Sequence, residues 1–147
     1  MKFDESLGNG KIEIRPGRAL VCRRITIGRH PPKINLLFVH GSCAASSQYD
    51  DLITEMTKLV QQDNDHLSEG SQHFNTPMNC FLYDQLGCAE SDHPASDWSA
   101  FSSSELHLDL QTIFRSILEV HVGDDNFIVA HSHGEQMFRN CSAIIYC

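Results

Sequence analysis

The chain has 147 residues, enough for one domain with a single core. Its hydrophobic share of 41% comes in runs, which excludes a disordered composition. The formal net charge of −8 argues against nucleic acid or an anionic membrane as the main partner, because an acidic surface repels phosphates.

The first ten residues carry acids and no apolar core, so they read as a flexible N-terminus and not as a signal peptide. No run approaches the roughly 18–20 apolar residues of a spanning helix. Six cysteines form no C-x-x-C pair. Without an export signal they are expected to be mostly buried, reduced thiols in a cytoplasmic protein. No cofactor is expected.

Residues 11–27 read as two strands around the Pro16-Gly17 turn, with Ile12 and Ile14 alternating with charges. Leu36-Leu37-Phe38-Val39 is a continuous apolar run, the mark of a strand covered on both faces. Ser46 or Ser47 is placed to cap a following helix, in which Tyr49, Leu52, Ile53, Met56, Leu59 and Val60 recur at helical spacing. Residues 61–78 are polar, lack periodicity up to the next apolar run, and read as a loop insertion.

Cys80-Phe81-Leu82-Tyr83 is the next buried-type strand, and residues 93–103 read as another loop. Ser103 or Ser104 then starts a second helix, with Leu106, Leu110, Ile113, Phe114, Ile117 and Leu118 on one face and Gly123 at its C-terminal cap. Phe127-Ile128-Val129-Ala130 is a third buried-type strand. A hairpin followed by alternating strands and helices implies an α/β fold: a parallel sheet with crossover helices on both faces. Ligands in such sheets sit at the carboxyl ends of the strands.

Three motifs fall at those ends. Ala130-His131-Ser132-His133-Gly134 has the form of a nucleophile elbow. Small neighbours let a serine occupy a sharp strand-to-helix turn, which lifts its hydroxyl out of the sheet. The turn aims the His133 N–H at a developing oxyanion, and the start of the next helix adds partial positive charge. His40-Gly41-Ser42 follows the earlier strand, where Gly41 permits close backbone approach and the Ser42 N–H is the second candidate oxyanion donor. Asp84-x-x-Gly87-x-x-x-Ser91 marks a sharp turn, with Asp84 expected to bond local backbone N–H groups rather than act as an acid.

As a set, L-L-F-V-H-G, Y-D-x-x-G-x-x-x-S and F-I-V-A-H-S-H-G resemble the α/β-hydrolase superfamily over about residues 11–136. The resemblance implies the N-terminal half of that fold and hydrolysis of an ester or lipid through an acyl-enzyme. Ser132 would be the nucleophile, and the backbone N–H groups of Ser42 and His133 the oxyanion hole, with His40, Gly41, Asp84 and Gly134 in supporting parts. Ala130 and Ala89 stand where the family pattern has glycine. The family order is serine, then acid, then histidine on later loops, and no histidine lies after His133. The acid and the base are therefore expected beyond residue 147, the chain is expected to be a partial domain spanning 11–147, and residues 137–147 are an atypical tail for the family.

His40, beside the oxyanion loop, is the best-positioned upstream substitute for the missing base, although a structural part at the strand end fits it better. His131 and His133 should point away from Ser132 on so tight a turn. A zinc reading is weaker: His131-x-His133-x-Glu135 resembles the metallo-β-lactamase H-x-H-x-D-H signature, but Gln136 stands where its last histidine belongs. A third reading is non-catalytic. A serine without acid and base is not activated, and an open last strand invites self-association.

Overall fold

The computed structural model describes residues 9–28, 31–65, 76–94 and 97–139. In chain order the elements are β1 (Asn9–Arg15), β2 (Arg18–Ile27), β3 (Ile34–Val39), α1 (Asp50–Asp65), β4 (Met78–Tyr83), α2 (Ser103–Val120), β5 (Asp125–Ala130) and α3 (His133–Arg139). Short 3₁₀ helices, Ser46–Tyr49 and Trp98–Phe101, precede α1 and α2. Among the described residues the strands form one sheet in the order β1-β2-β4-β3-β5. The β1–β2 hairpin is antiparallel and joins β4 antiparallel, while β4, β3 and β5 run parallel. This is the expected hairpin followed by parallel strands and crossover helices.

The two faces of β3 explain its unbroken apolar run. Leu37 and Val39 pack with Leu106, Leu110, Ile113 and Ile117 of α2. Phe38, with Leu36 beside it, packs in a second cluster with Tyr49, Ile53 and Val60 of the α1 side. Alternate residues of a strand point to opposite faces, so a strand covered twice has no polar side to spare.

One polar line crosses this apolar sheet. Thr26, Asn79, Asn35 and Asn126 stand at matching register on β2, β4, β3 and β5. The Asn79 side-chain N–H donates to Asn35 at 2.8 Å, and that of Asn35 to Asn126 at 3.0 Å. Asn35 and Asn79 are fully buried. A one-residue slip would leave these amides without partners in the core, so the line holds the register of the strands that carry the site.

An ionic cluster that motif reading did not single out pins the hairpin to α2. Asp109 is buried on the α2 stripe between Leu106 and Leu110. Its carboxylate accepts from the Nε of Arg15 at 3.0 Å and the Nε of Arg18 at 2.9 Å. Arg15 also reaches Glu105 at 2.8 Å, and Arg18 donates to the Ala100 carbonyl at 2.9 Å. The two arginines bracket Pro16-Gly17, so the turn itself delivers both charges.

Several local expectations need correction. Ser46 and Ser47 lie inside the first 3₁₀ helix, whose N-cap, Ala45, makes no side-chain cap bond. Leu52 and Leu59 are exposed on α1, because the buried stripe runs through Tyr49, Ile53 and Val60. Helix α1 continues through Asp65, into the stretch read as a loop from residue 61. Helix α2 starts at Ser103 as expected, with Ser102 as its N-cap, whose hydroxyl accepts from Glu105 N–H at 3.4 Å, but its C-cap is His121 and not Gly123. Leu118 is exposed. Strand β1 starts at Asn9, inside the segment read as flexible, and α3 extends to Arg139, past the start of the expected tail at 137. Residues 66–75, most of the stretch read as a loop, and residues 140–147 of the expected tail lie outside the described residues. Cys22 and Cys80 are buried as expected, but Cys43 is exposed and Cys88 half-buried; these four are free thiols.

Candidate active site

The parallel strands end side by side, and β3, β4 and β5 deliver the three sequence motifs to one edge of the sheet. After β5 the chain turns at once into α3. Ser132 takes φ +57°, in the left-handed region that L side chains rarely adopt. The carbonyls of His131 and Ser132 accept from Gly134 N–H and Glu135 N–H, both at 3.0 Å, which starts the helix. A strained, exposed serine between a strand and a helix is the geometry expected of an elbow.

Two glycines make room for it. A Cβ on Gly134 would stand 2.7 Å from the Val39 carbonyl oxygen and 3.0 Å from that of His40. Helix α3 can therefore lie on the end of β3 only with glycine there. A Cβ on Gly41 would stand 3.2 Å from both the Ser132 Cβ and the His131 Nδ1. The His40-Gly41-Ser42 loop thus touches the elbow. Val39 O ties the two further, accepting from His131 N–H at 3.1 Å and from the Tyr49 hydroxyl at 2.8 Å. Ser42 and Ser132 are both exposed, and the Ser42 N–H has no protein acceptor among the described residues.

His40 is fully buried, and both ring nitrogens are engaged. Nδ1 lies 2.8 Å from the Gly41 carbonyl oxygen, and Nε2 accepts from Gln85 N–H at 2.9 Å. A carbonyl can only accept and an N–H only donate, so the ring is neutral with its proton on Nδ1. Burial holds its pKa below the ordinary 6.5, against weaker opposing effects of the Gly41 bond and Asp84. The idea of His40 as a substitute base fails on this geometry: neither nitrogen is free to take a proton from Ser132.

Asp84 departs from its expected local role. Its carboxylate accepts from the Ser46 N–H at 2.6 Å, across from the other loop, and so caps the 3₁₀ helix that the serines do not cap. Ser91 completes the turn after β4, donating to the Asp84 carbonyl at 2.7 Å and accepting from Val21 N–H at 2.9 Å. Gly87 takes φ +78°, and a Cβ there would strike the Phe101 ring at 2.5 Å. The Asp84–Ser91 turn is thus scaffolding for the loop that follows β3. Sequence alone could not pair Asp84 with Ser46, because the bond spans two different crossovers.

Among the described residues, no three His, Cys, Asp or Glu side chains form a metal-ligating group. His131, His133 and Glu135 are therefore not assembled as a zinc set. Clefts of about 430 and 480 Å³ lie beside the hairpin turn and between β2 and α1, and neither is lined by Ser132 or Ser42. No described helix is long and apolar enough to cross a membrane.

A mixed sheet in this order, with an elbow serine after β5 and a glycine loop after β3, defines a partial α/β-hydrolase fold. Solved structures agree. Epoxide hydrolase A from Mycobacterium thermoresistibile is similar at TM-score 0.59 and 16% identity, over 90% of this chain and 33% of that one. An epoxide hydrolase of the α/β-hydrolase superfamily, from metagenomes of hot environments, is similar at TM-score 0.57 and 18% identity, over 93% and 36%. The thioesterase domain of the curacin biosynthetic pathway is similar at 0.57 and 14%, over 88% and 36%. The chain spans about a third of the length of each. No protein-family model matches the sequence, and no curated protein matches it.

Proposed function

We propose that this chain carries the nucleophile and oxyanion half of a serine hydrolase site. Ser132 is the nucleophile, and the N–H groups of Ser42 and His133 are the oxyanion donors. Gly41 and Gly134 supply clearance, and His40 and Asp84 brace the loops. The observation that carries this reading is the left-handed Ser132 in contact with the Gly41 loop. A strained, exposed residue on an otherwise regular strand–helix junction is retained where it has work to do.

The reaction is attack of Ser132 Oγ on an ester carbonyl, with charge passing to the carbonyl oxygen between the two N–H groups. The serine proton passes through a general base to the departing alcohol, and water then hydrolyses the acyl-enzyme, releasing the acid and restoring the Ser132 hydroxyl. The substrate class is an ester or lipid. The hairpin stretch I-E-I-R-P-G-R-A-L, leading into C-R-R-I, resembles the region before the core in abhydrolase domain-containing protein 8, and kinship with that protein is part of the proposal.

The test is serine-directed labelling with a fluorophosphonate, together with ester turnover, for this chain and for any longer form its transcript encodes. A longer form bearing an acid and a histidine should label at Ser132 and turn over, and Ser132→Ala should abolish both. This chain by itself should be nearly inert. Labelling of the longer form that survives Ser132→Ala overturns the assignment.

A second, non-catalytic reading rests on β5. Among the described residues it is an edge strand of the sheet, paired only with β3, and Phe127, Ile128 and Val129 are half-buried. A further strand, from this chain's own kind or another, can add there.

A further inference from the structure

The Gly41–Ser42 peptide is one rigid plane. There are no cis peptides among the described residues, and in a trans peptide the C=O and the following N–H point in opposite directions. The Gly41 oxygen is turned into the protein, held at 2.8 Å by the buried His40 Nδ1–H. The Ser42 N–H must therefore point the other way, out of the loop. The loop that carries this N–H lies against the serine turn, with only 3.2 Å between a Gly41 Cβ position and the Ser132 Cβ. His40 is itself fixed from behind, because Gln85 donates from its backbone to Nε2 at 2.9 Å and from its side chain to the His40 carbonyl.

We propose that His40 is a positioning residue: by holding the Gly41 carbonyl it sets the orientation of the Ser42 N–H that donates to the oxyanion formed when Ser132 attacks. The donor is thus aimed from the far edge of its own peptide plane. Glycine at 41 makes the aim necessary, since without a side chain that residue has more freedom to rotate its flanking peptides than any other. The inference rests on the reading of Ser42 as an oxyanion donor.

Two substitutions separate aiming from mere support. In His40→Asn the side-chain amide lies where Nδ1 lies, so it keeps the hold on Gly41 O and loses the acceptor for Gln85. In His40→Gln the amide lies where Nε2 lies, so it keeps Gln85 and loses the hold on Gly41. Asparagine is also the smaller replacement and leaves a buried N–H unpaired, so it should be the less stable of the two. If His40 were only a strut, function would follow stability and Gln would be the better substitute.

The experiment uses the full chain, with folding of each variant checked by its amide spectrum. The first readout is the Ser42 backbone amide resonance, which needs no catalysis. It should stay near its wild-type position in His40→Asn and move in His40→Gln. The second is the rate of Ser132 labelling by a fluorophosphonate, in the longest form that labels. His40→Asn should stay within about threefold of wild type, and His40→Gln should fall by about tenfold or more, toward the loss seen when an oxyanion donor is removed. An unmoved Ser42 amide in His40→Gln, or labelling that tracks stability, overturns the proposal. Absence of labelling in every form, wild type included, instead removes the serine-hydrolase reading, and the Ser42 amide still decides whether His40 sets that peptide.

Discussion

Gly41 and Ser132 are in contact: a single carbon added to Gly41 would stand 3.2 Å from the Ser132 Cβ. This contact joins the loop after β3 to the turn after β5. It exists because β3 and β5 are adjacent and in register to their last pair, Val39 with Ala130. The two strands therefore end at one level, and their loops meet.

Gly41→Ala should push the elbow and the loop apart by a few tenths of an ångström. Neighbours at that distance yield a little, so the expected stability loss is about 1 kcal/mol. Reactivity should suffer more, by about tenfold in labelling rate, since an oxyanion donor works only when aligned. Unfolding curves and labelling rates on the same protein check both. A large stability loss with unchanged labelling would contradict the contact.

Ser132→Gly should be more stable than Ser132→Ala. Both remove the hydroxyl, but only glycine occupies φ +57° without strain. The expected gap is about 1 kcal/mol in favour of glycine. Anywhere with ordinary backbone angles the order would be reversed, by the unfolded-state entropy of glycine. Urea unfolding of the two variants decides it.

Asp109→Asn should be among the most damaging single changes in the described core. It strips a buried carboxylate from two arginines, one of them also buried. Breaking such a cluster from one side costs about 3–5 kcal/mol, because the remaining charges stay out of water. The prediction is a collapse of the unfolding midpoint, accompanied by loss of hairpin protection in hydrogen exchange.

Acid should weaken the fold partly through His40. Burial keeps its folded pKa below 6.5, with Asp84 as a charged group acting the other way. Below that ordinary value the unfolded chain takes up a proton that the folded ring refuses. Stability from this residue is thus whole above pH about 6.5 and declines as pH falls toward the lowered folded value. Comparing unfolding free energies at pH 7.5 and 5.5, His40→Gln should lose less than wild type. An identical loss in both would show that His40 carries none of it.

The sequence reading and the structure part company at particular residues. The strands were legible because their runs are apolar and bounded by Pro16-Gly17, His40-Gly41 and the Asp84 turn. The α2 stripe was legible because Leu106, Leu110, Ile113 and Ile117 repeat at helical spacing. The α1 stripe was half legible. Leu52 and Leu59 satisfy the same periodicity as Ile53 and Val60, and only the width of the covered face separates them. Asp109 could have been noticed, since a carboxylate inside an apolar stripe needs a buried partner. Its partners, Arg15 and Arg18, could not have been chosen from among the chain's other cations.

The sequence by itself determined the order of the elements, the hairpin-then-parallel arrangement, and the elbow pattern around Ser132. These follow from local periodicity, small residues at turns and the stereochemistry of short connections. Only the tertiary structure decided that Gly41 abuts Ser132, that Asp84 caps a helix belonging to another crossover, and that both nitrogens of His40 are engaged. Each of these depends on which strands are neighbours and on where they end, and such a relation between distant segments is written in no single stretch of residues.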